Sequence, residues 1–125
     1  MRPTLALALT LLALDADAAN FEDAQRLLDG AAPMQCEVLT MRYQAMATPA
    51  GEAREAAEKK MHKRAAEVEA QLGPAAHEYD QAVASLSEAD RARVRAYANG
   101  LMKDCANKAS ERYGIKLPMP SGPAR

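Results

Sequence analysis

The chain has 125 residues, which suits a single domain, and its 16 basic and 17 acidic side chains leave a formal net charge of −1. This balance excludes an electrostatic nucleic-acid binder, which needs a clear basic excess, and gives no reason to expect binding to anionic lipid. No segment repeats at a fixed period, so one domain is predicted.

The first 18 residues have the features of a cleavable secretory signal peptide. Arg2 supplies positive charge, and residues 5–14 form an apolar run of Leu, Ala and one Thr. This run is shorter than the roughly 20 residues that cross a bilayer, but it suits a signal peptide better than a buried core helix. Ala16 and Ala18 then occupy the two positions that a signal peptidase reads. We therefore predict cleavage before Ala19, export to the periplasm or medium, and no membrane contact after cleavage.

The remaining chain, residues 19–125, is rich in alanine and poor in large apolar side chains. It contains 24 alanines but only 13 Leu, Ile, Val and Phe residues together. Alanine favours helix but buries little surface, so the expected core is marginal. Such a domain needs either a covalent link or a partner to become stable.

Hydrophobic periodicity and helix breakers predict an all-α fold, a small bundle of four to five helices with one disulfide. Asp29-Gly30 should stop a short first helix, and Pro33 should open the second. Gly73-Pro74 should end a long charged third helix, since Gly past a helix end and Pro beyond it are common stop signals. The predicted helices cover residues 21–28, 34–47, 52–72, 75–85 and 88–112, approximately.

Polar residues and glycines predict how individual helices begin and end. Thr48 is a candidate cap with Pro49 at the first helical position, and Ser87 with Asp90 resembles a capping box for the last helix. Gly114 suits a left-handed exit from that helix. The helical domain is therefore expected over 19–114, after the signal peptide at 1–18. Residues 115–125 hold three prolines and should form an extended or loose tail.

Cys36 and Cys105 are the only cysteines, and each falls on the apolar stripe of its own predicted helix. Outside the cytosol, two such cysteines most simply form one disulfide. They do not make the C-x-x-C pair of a redox site or the C-x-x-C-H motif of haem attachment. We therefore predict a structural Cys36–Cys105 bond.

His77-Glu78 begins a sequence similar to the zinc protease signature, which needs a second His four residues after the first. Position 81 is Gln, so the signature fails. His62 could supply the missing ligand only if the chain folds back at Gly73-Pro74, and even then about 12 Å along the helix axes would separate the two imidazoles. No metal site is predicted.

Six methionines remain after residue 18, and they are scattered along the chain. Core filling is the usual role of Met, although a copper carrier with thioether ligands and an adaptable groove for a partner are the alternatives. No nucleophile elbow, phosphate loop or dinucleotide motif is present. The sequence therefore predicts no catalytic residue, no cofactor and no enzymatic activity. The methionines are Met34, Met41, Met46, Met61, Met102 and Met119.

Residues 79–106 resemble the closing helix of small helical lysozyme-inhibitor-like envelope proteins. The second cysteine pair of that group is absent, so the resemblance implies a helical class and assigns no residue a role. The positions that carry it are Tyr79, Leu86, Arg91, Val94, Leu101 and Cys105.

The leading hypothesis is an exported, non-enzymatic helical protein that acts as a binding or structural module of the bacterial envelope. The second is an inhibitor or immunity protein against an envelope-targeting enzyme such as a lysozyme-like hydrolase. A Met/His metal carrier comes third and an enzyme fourth. A protein partner is expected, and a homo-oligomer stays an alternative.

Overall fold

A computed structural model describes the backbone of residues 2–118 and the side chains of residues 20–118. It contains three helices and no strand in this range: α1 (Arg2–Ala47), α2 (Glu52–Ala84) and α3 (Glu88–Tyr113). The predicted all-α class and the disulfide are confirmed, but the prediction of four to five helices is wrong. The predicted signal peptide and its cleavage site lie outside the described side chains. Within the described range, no helix is long and apolar enough to cross a membrane.

The first predicted break, between residues 28 and 34, is absent because α1 runs through both Gly30 and Pro33. Pro33 has no backbone N–H, so α1 lacks the hydrogen bond that residue 33 would otherwise donate to the carbonyl of Asp29. Both Gly30 and Pro33 are exposed, so neither disturbs packing. Packing against α2 and α3 stabilises α1 on both sides of residues 30–33. This stabilisation outweighs the loss of one backbone hydrogen bond.

The second predicted break, at Gly73-Pro74, is absent for the same reason, and α2 continues to Ala84. The stripe of α2 that packs on α1 continues through Gly73-Pro74 at spacings of three and four residues, so ending the helix there would divide one continuous face. Pro33 and Pro74 lie near the same level of the α1/α2 pair, since Gln35 and Leu72 line one groove. The stripe comprises Ala65, Val68, Leu72, Ala75, Tyr79 and Ala82.

Thr48 closes α1 and does not begin α2, which corrects its predicted role as a cap. Its backbone N–H and its hydroxyl both donate to the carbonyl of Gln44, at 3.1 and 2.8 Å. The chain then turns at Gly51, whose φ of 135° is one that glycine adopts readily. Arg54 of α2 donates to the carbonyls of Thr48 and Met46, at 2.8 and 3.3 Å, and satisfies the end of α1.

The second connection repeats this arrangement. Arg91 of α3 donates to the carbonyls of Val83 and Ala84 at the end of α2, at 3.2 and 3.0 Å. The predicted cap at Ser87 is confirmed, because its hydroxyl accepts from the backbone N–H of Asp90 at 3.2 Å. The left-handed exit at Gly114 is also confirmed, with a φ of 69°. In each connection an arginine near the start of one helix caps the helix before it.

Helix α1 lies between the other two helices and packs along both. It runs parallel to α3, since Cys36 and Asp29 of α1 meet Cys105 and Tyr97 of α3 in the same order. It runs antiparallel to α2, in which Arg64 pairs with Glu37. Direct contacts between α2 and α3 are few.

The core is small and divided into two clusters. One joins all three helices near the α2–α3 connection, around Ala24, Ala82, Leu86 and Val94. Five of the ten buried apolar residues are alanines. Of the leucines among side chains 20–118, only Leu86 is buried. Most large apolar side chains of the described helices are therefore half-exposed, which confirms the expectation of a marginal core.

Candidate interaction surface

Cys36 and Cys105 form the predicted disulfide, which joins the last third of α1 to the second half of α3. Their Cα atoms are 5.7 Å apart, and the bond closes a loop with a sequence separation of 69. Cys105 is buried at 5% exposure, and Cys36 is half-buried. A sulfur pair so covered suits a structural link better than an exposed exchange site.

The rest of the α1/α3 interface is closed by a second cluster around Tyr43, Ala106 and Ala109. Ile115 and Leu117, from the segment predicted to be extended or loose, pack against this cluster beside Leu39 and Tyr113. Residues 115–118 form neither helix nor strand, and the extended or loose character of the tail stays a prediction. Residues 119–125 of the predicted tail lie outside the described range.

A hydrogen bond between Tyr97 and Asp29 also links α1 to α3. The Tyr97 hydroxyl donates to the Asp29 carboxylate, and this bond raises the pKa of Tyr97 above its usual range. At the start of the interface, the Arg93 guanidinium lies 4.3 Å from the centre of the Phe21 ring, at cation–π distance. This interface thus combines a covalent bond, a buried cluster and polar contacts.

The histidines do not form a metal site in the described part of the chain. Because α2 is one helix, His62 and His77 are separated by fifteen residues of rise, about 22 Å, and not by the 12 Å expected for a turn at Gly73-Pro74. Among the described side chains, no three His, Cys, Asp or Glu residues come together around a common point. A metal-free protein stays a prediction for metal analysis to test.

The methionines with described side chains are not clustered into one site. Met34, Met41, Met61 and Met102 are half-buried on three different helices. Met46 is the one large apolar residue exposed in the described range, at 42%. This distribution is typical of gap-filling side chains.

An apolar surface that the described side chains leave unfilled is a groove between α1 and α2. Two adjoining hollows of about 170 and 570 Å³ form it, and they share Gln35, Leu72 and Ala76. Helix α1 lines it from Leu27 to Val38, and helix α2 lines it from Ala65 to Tyr79. We call this surface the α1/α2 groove. Its apolar lining comprises Leu27, Leu28, Ala31, Val38, Ala65, Val68, Leu72, Gly73, Ala75, Ala76 and Tyr79.

Charge is distributed unevenly around α2. Glu69 lines the α1/α2 groove, and Glu58 and Asp80 lie eleven residues to either side, three helical turns away on the same edge. The lysines Lys60 and Lys63 border a separate hollow on the other edge of α2. Partial burial is the main cause that raises the pKa of Tyr79, and the nearby carboxylate of Asp80 raises it further. The positive charge of Arg95 opposes this rise.

The other side of the α1/α2 pair is polar. Arg64 makes two hydrogen bonds to the Glu37 carboxylate, at 3.0 and 2.9 Å, and a third to Glu67 at 3.2 Å. The hydrogen bond from Arg64 lowers the pKa of Glu37 below its usual value of 4.5. Another polar hollow lies farther along this side, and it is bordered by Asp23 of α1 and by Glu78 and Gln81 of α2.

Comparisons with protein families, with curated proteins and with solved structures gave no match to this chain. The candidate site therefore rests on geometry alone. Sequence reasoning did not identify the α1/α2 groove, because the predicted breaks at Asp29-Gly30 and Gly73-Pro74 divided both of its walls. The available signal was the apolar spacing of three and four residues, which continues through both breaks.

Proposed function

We propose that this chain is an exported, non-enzymatic protein of the bacterial envelope that binds another protein through the α1/α2 groove. The observation that supports it is an apolar groove left open between two helices, in a domain whose other interface is closed. Spaces between the helices of a bundle are among the places where proteins bind other molecules. The disulfide supports export, since such bonds persist mainly in oxidising compartments.

The groove offers apolar side-chain surface that a bound partner would cover. Leu28, Leu72 and Tyr79 are only half-buried, although each already contacts neighbouring apolar residues. Covering such side chains contributes about 25 cal/mol for each Å² of apolar surface removed from water. The marginal core and the open groove have one physical origin, since large apolar residues that a self-sufficient domain would bury lie along this surface.

Site-specific photo-crosslinking in an envelope extract tests the proposal. A photoreactive residue replaces Ala76, which is exposed and lines both hollows of the groove. The matched control carries the same residue at Ala70, which is also exposed but faces away from α1 on the same helix. We expect a discrete crosslinked protein from position 76 and none from position 70.

Two outcomes refine or overturn the proposal. Capture of a single hydrolase that loses activity in the complex would identify the binding module as an inhibitor. Equal crosslinking at positions 70 and 76, or none at position 76 in extracts from the native host, would contradict a role for the α1/α2 groove.

A further inference from the structure

We propose that the three-helix bundle has a hinge, at which its two ends bend relative to each other. The hinge lies at one level of the helices, which we call the waist: Gly30 and Pro33 in α1, Gly73 and Pro74 in α2, and Gly100 in α3. This inference goes beyond the proposed function and does not depend on which molecule the α1/α2 groove binds. It is carried by the residues at the waist, by the position of the core clusters and by the links between α1 and α3.

Every glycine and proline that lies inside a helix, among the described side chains, is at the waist. Contacts between the helices show that these residues share one level. Gly73 lines a hollow together with Gln35 of α1, and Gly100 lies between the two residues of α3 that contact Asp29 and Cys36. Glycine weakens a helix through its backbone entropy, and proline weakens it because it has no N–H to donate. Each helix is therefore locally weakened at the same level of the bundle.

Neither close packing nor an unusual backbone requires glycine at the waist. A Cβ atom added at Gly30, Gly73 or Gly100 would have no other atom within 4 Å. None of these three glycines has a positive φ. Alanine would therefore fit at each position and would favour helix more strongly. The property that distinguishes glycine from alanine here is a helix that bends more easily.

The waist lies between the two core clusters. Ala24, Ala82 and Val94 belong to the cluster on one side, and Tyr43 and Ala109 belong to the cluster on the other. No side chain is buried in the stretches that separate them. Segments with few buried contacts open at a lower free energy than the core, whereas each cluster holds its own end together. These stretches are residues 25–42 of α1, 69–81 of α2 and 95–104 of α3.

Helices α1 and α3 are linked on both sides of the waist. On one side the Tyr97 hydroxyl donates to Asp29, and on the other side Cys36 is bonded to Cys105. Helix α1 can therefore bend at its proline only if α3 bends at the same level, and the glycine of α3 lies there. A few residues that absorb the change in backbone angles are enough for a hinge. Because the α1/α2 groove extends across the waist, bending changes its width.

Distances between spin labels on α2, measured by pulsed electron paramagnetic resonance, test the hinge. The labels are carried by unnatural amino acids, so that the disulfide stays intact. One pair replaces Ala66 and Asp80, on opposite sides of the waist, and the control pair replaces Glu55 and Glu69, on one side of it. All four positions are exposed, and each pair is separated by fourteen residues of rise, about 21 Å.

We expect a broader distance distribution for the pair that spans the waist. A bend of about 20° shifts labels that stand roughly 8 Å from the helix axis by about 3 Å, so the width should increase by about that amount. Equal widths for the 66/80 and 55/69 pairs would overturn the hinge.

A variant with a continuous α2 should lose this difference. Gly73→Ala combined with Pro74→Ala should narrow the distribution of the 66/80 pair to the width of the control pair. Asn107→Ala is the matched control, because it gives a similar gain in helix propensity at an exposed position of α3 outside the waist. It should leave the 66/80 distribution unchanged. An unchanged width in the double variant would contradict bending at Gly73-Pro74.

Native-state hydrogen exchange tests whether the three helices bend together. Gly73→Ala favours helix about fivefold, so exchange of waist amides in α2 should slow about fivefold. In a shared hinge the same factor should appear within residues 30–34 of α1 and 99–102 of α3, because these segments open with α2. Asn107→Ala should leave all three segments unchanged. Slower exchange confined to α2 would show three independent weak points and would overturn the shared hinge.

Discussion

Helix α1 has two interfaces, and they are built differently. Against α3 it is covalently joined through Cys36 and Cys105, and Tyr43 is buried at 2% exposure. Against α2 it is joined by the Arg64–Glu37 ion pair and leaves an open groove around Leu72. Pro33 and Pro74, each inside its helix, lie in this pair. The α1/α3 interface therefore suits stability, whereas the α1/α2 interface leaves room for a partner.

This difference shows how an alanine-rich chain can be folded and still offer a binding surface. A disulfide replaces part of the stabilisation that large core residues would supply. The few large apolar side chains then need not all be buried internally. Changes at the disulfide, in each interface and at an internal proline test this difference.

Removing the disulfide should have the largest effect. Chain-entropy arguments give about 4 kcal/mol for a loop of this length, a large share of the stability expected for a small domain. The double variant Cys36→Ser, Cys105→Ser should show a steep fall in melting temperature and in helical circular dichroism. Reductant should do the same to the unmodified protein. A loss below about 1 kcal/mol in urea titrations would show that the α1/α3 packing is stable without the bond.

Truncating one large side chain in each interface compares them directly. Tyr43→Ala should cost about 3 kcal/mol, since a nearly fully buried aromatic ring leaves a cavity. Leu72→Ala should cost about 1 kcal/mol, because Leu72 is half-exposed in the groove. Urea denaturation midpoints, compared at an unchanged m-value, measure both losses of stability. Equal losses would mean that the α1/α2 interface is as tightly packed as the other.

Replacing an internal proline should stabilise the protein. Pro33→Ala restores an N–H for the carbonyl of Asp29, and the exposed ring that it removes has no packing role. Part of this gain is lost because alanine gives the unfolded chain more conformational entropy than proline does. We therefore expect the free energy of unfolding to rise by about 1 kcal/mol. Thermal unfolding of this variant, with Pro49→Ala outside the helices as control, measures it. A destabilised Pro33→Ala would show that the proline shapes α1 in a way that packing requires.

The Arg64–Glu37 pair should have a small effect that depends on pH. The folded pKa of Glu37 lies below its unfolded value, so its stabilisation is present above pH 4.5 and is lost as the pH falls through the folded pKa. Glu37→Gln should remove this contribution at neutral pH and flatten the acid limb of the stability curve. Glu22→Gln on the same helix, whose side chain is exposed, is the control. Identical acid limbs for Glu37→Gln and the unmodified protein would contradict a role for the pair.

Much of the fold could be predicted from particular residues. The Cys36–Cys105 bond followed from two cysteines on apolar stripes, and both ends of α3 followed from Ser87 and Gly114, whose roles are local. The continuity of α1 and α2 did not follow, because it depends on neighbours that hold each helix on both sides of its proline. Gly73-Pro74 has the local chemistry of a helix end. Only the unbroken spacing from Val68 through Leu72 to Tyr79 indicates otherwise.

The candidate site was missed for the same reason. Leu28 and Val38 were assigned to two different helices, so a wall that contains both could not be recognised. Whether half-exposed leucines face water, each other or a partner depends on how α2 and α3 sit around α1. That arrangement is set by long-range contacts, which no local pattern specifies.

Native-state hydrogen exchange, resolved to single helices, tests the contrast between the two interfaces most directly. We expect amides of α2 along the groove, residues 65–76, to open with a lower free energy than amides of α3 beside the disulfide, residues 102–109. Reduction of the Cys36–Cys105 bond should lower the protection of α3 and bring it near that of α2. Equal protection of the two segments in the oxidised protein, or greater protection of 65–76, would contradict the division between a closed interface and an open one.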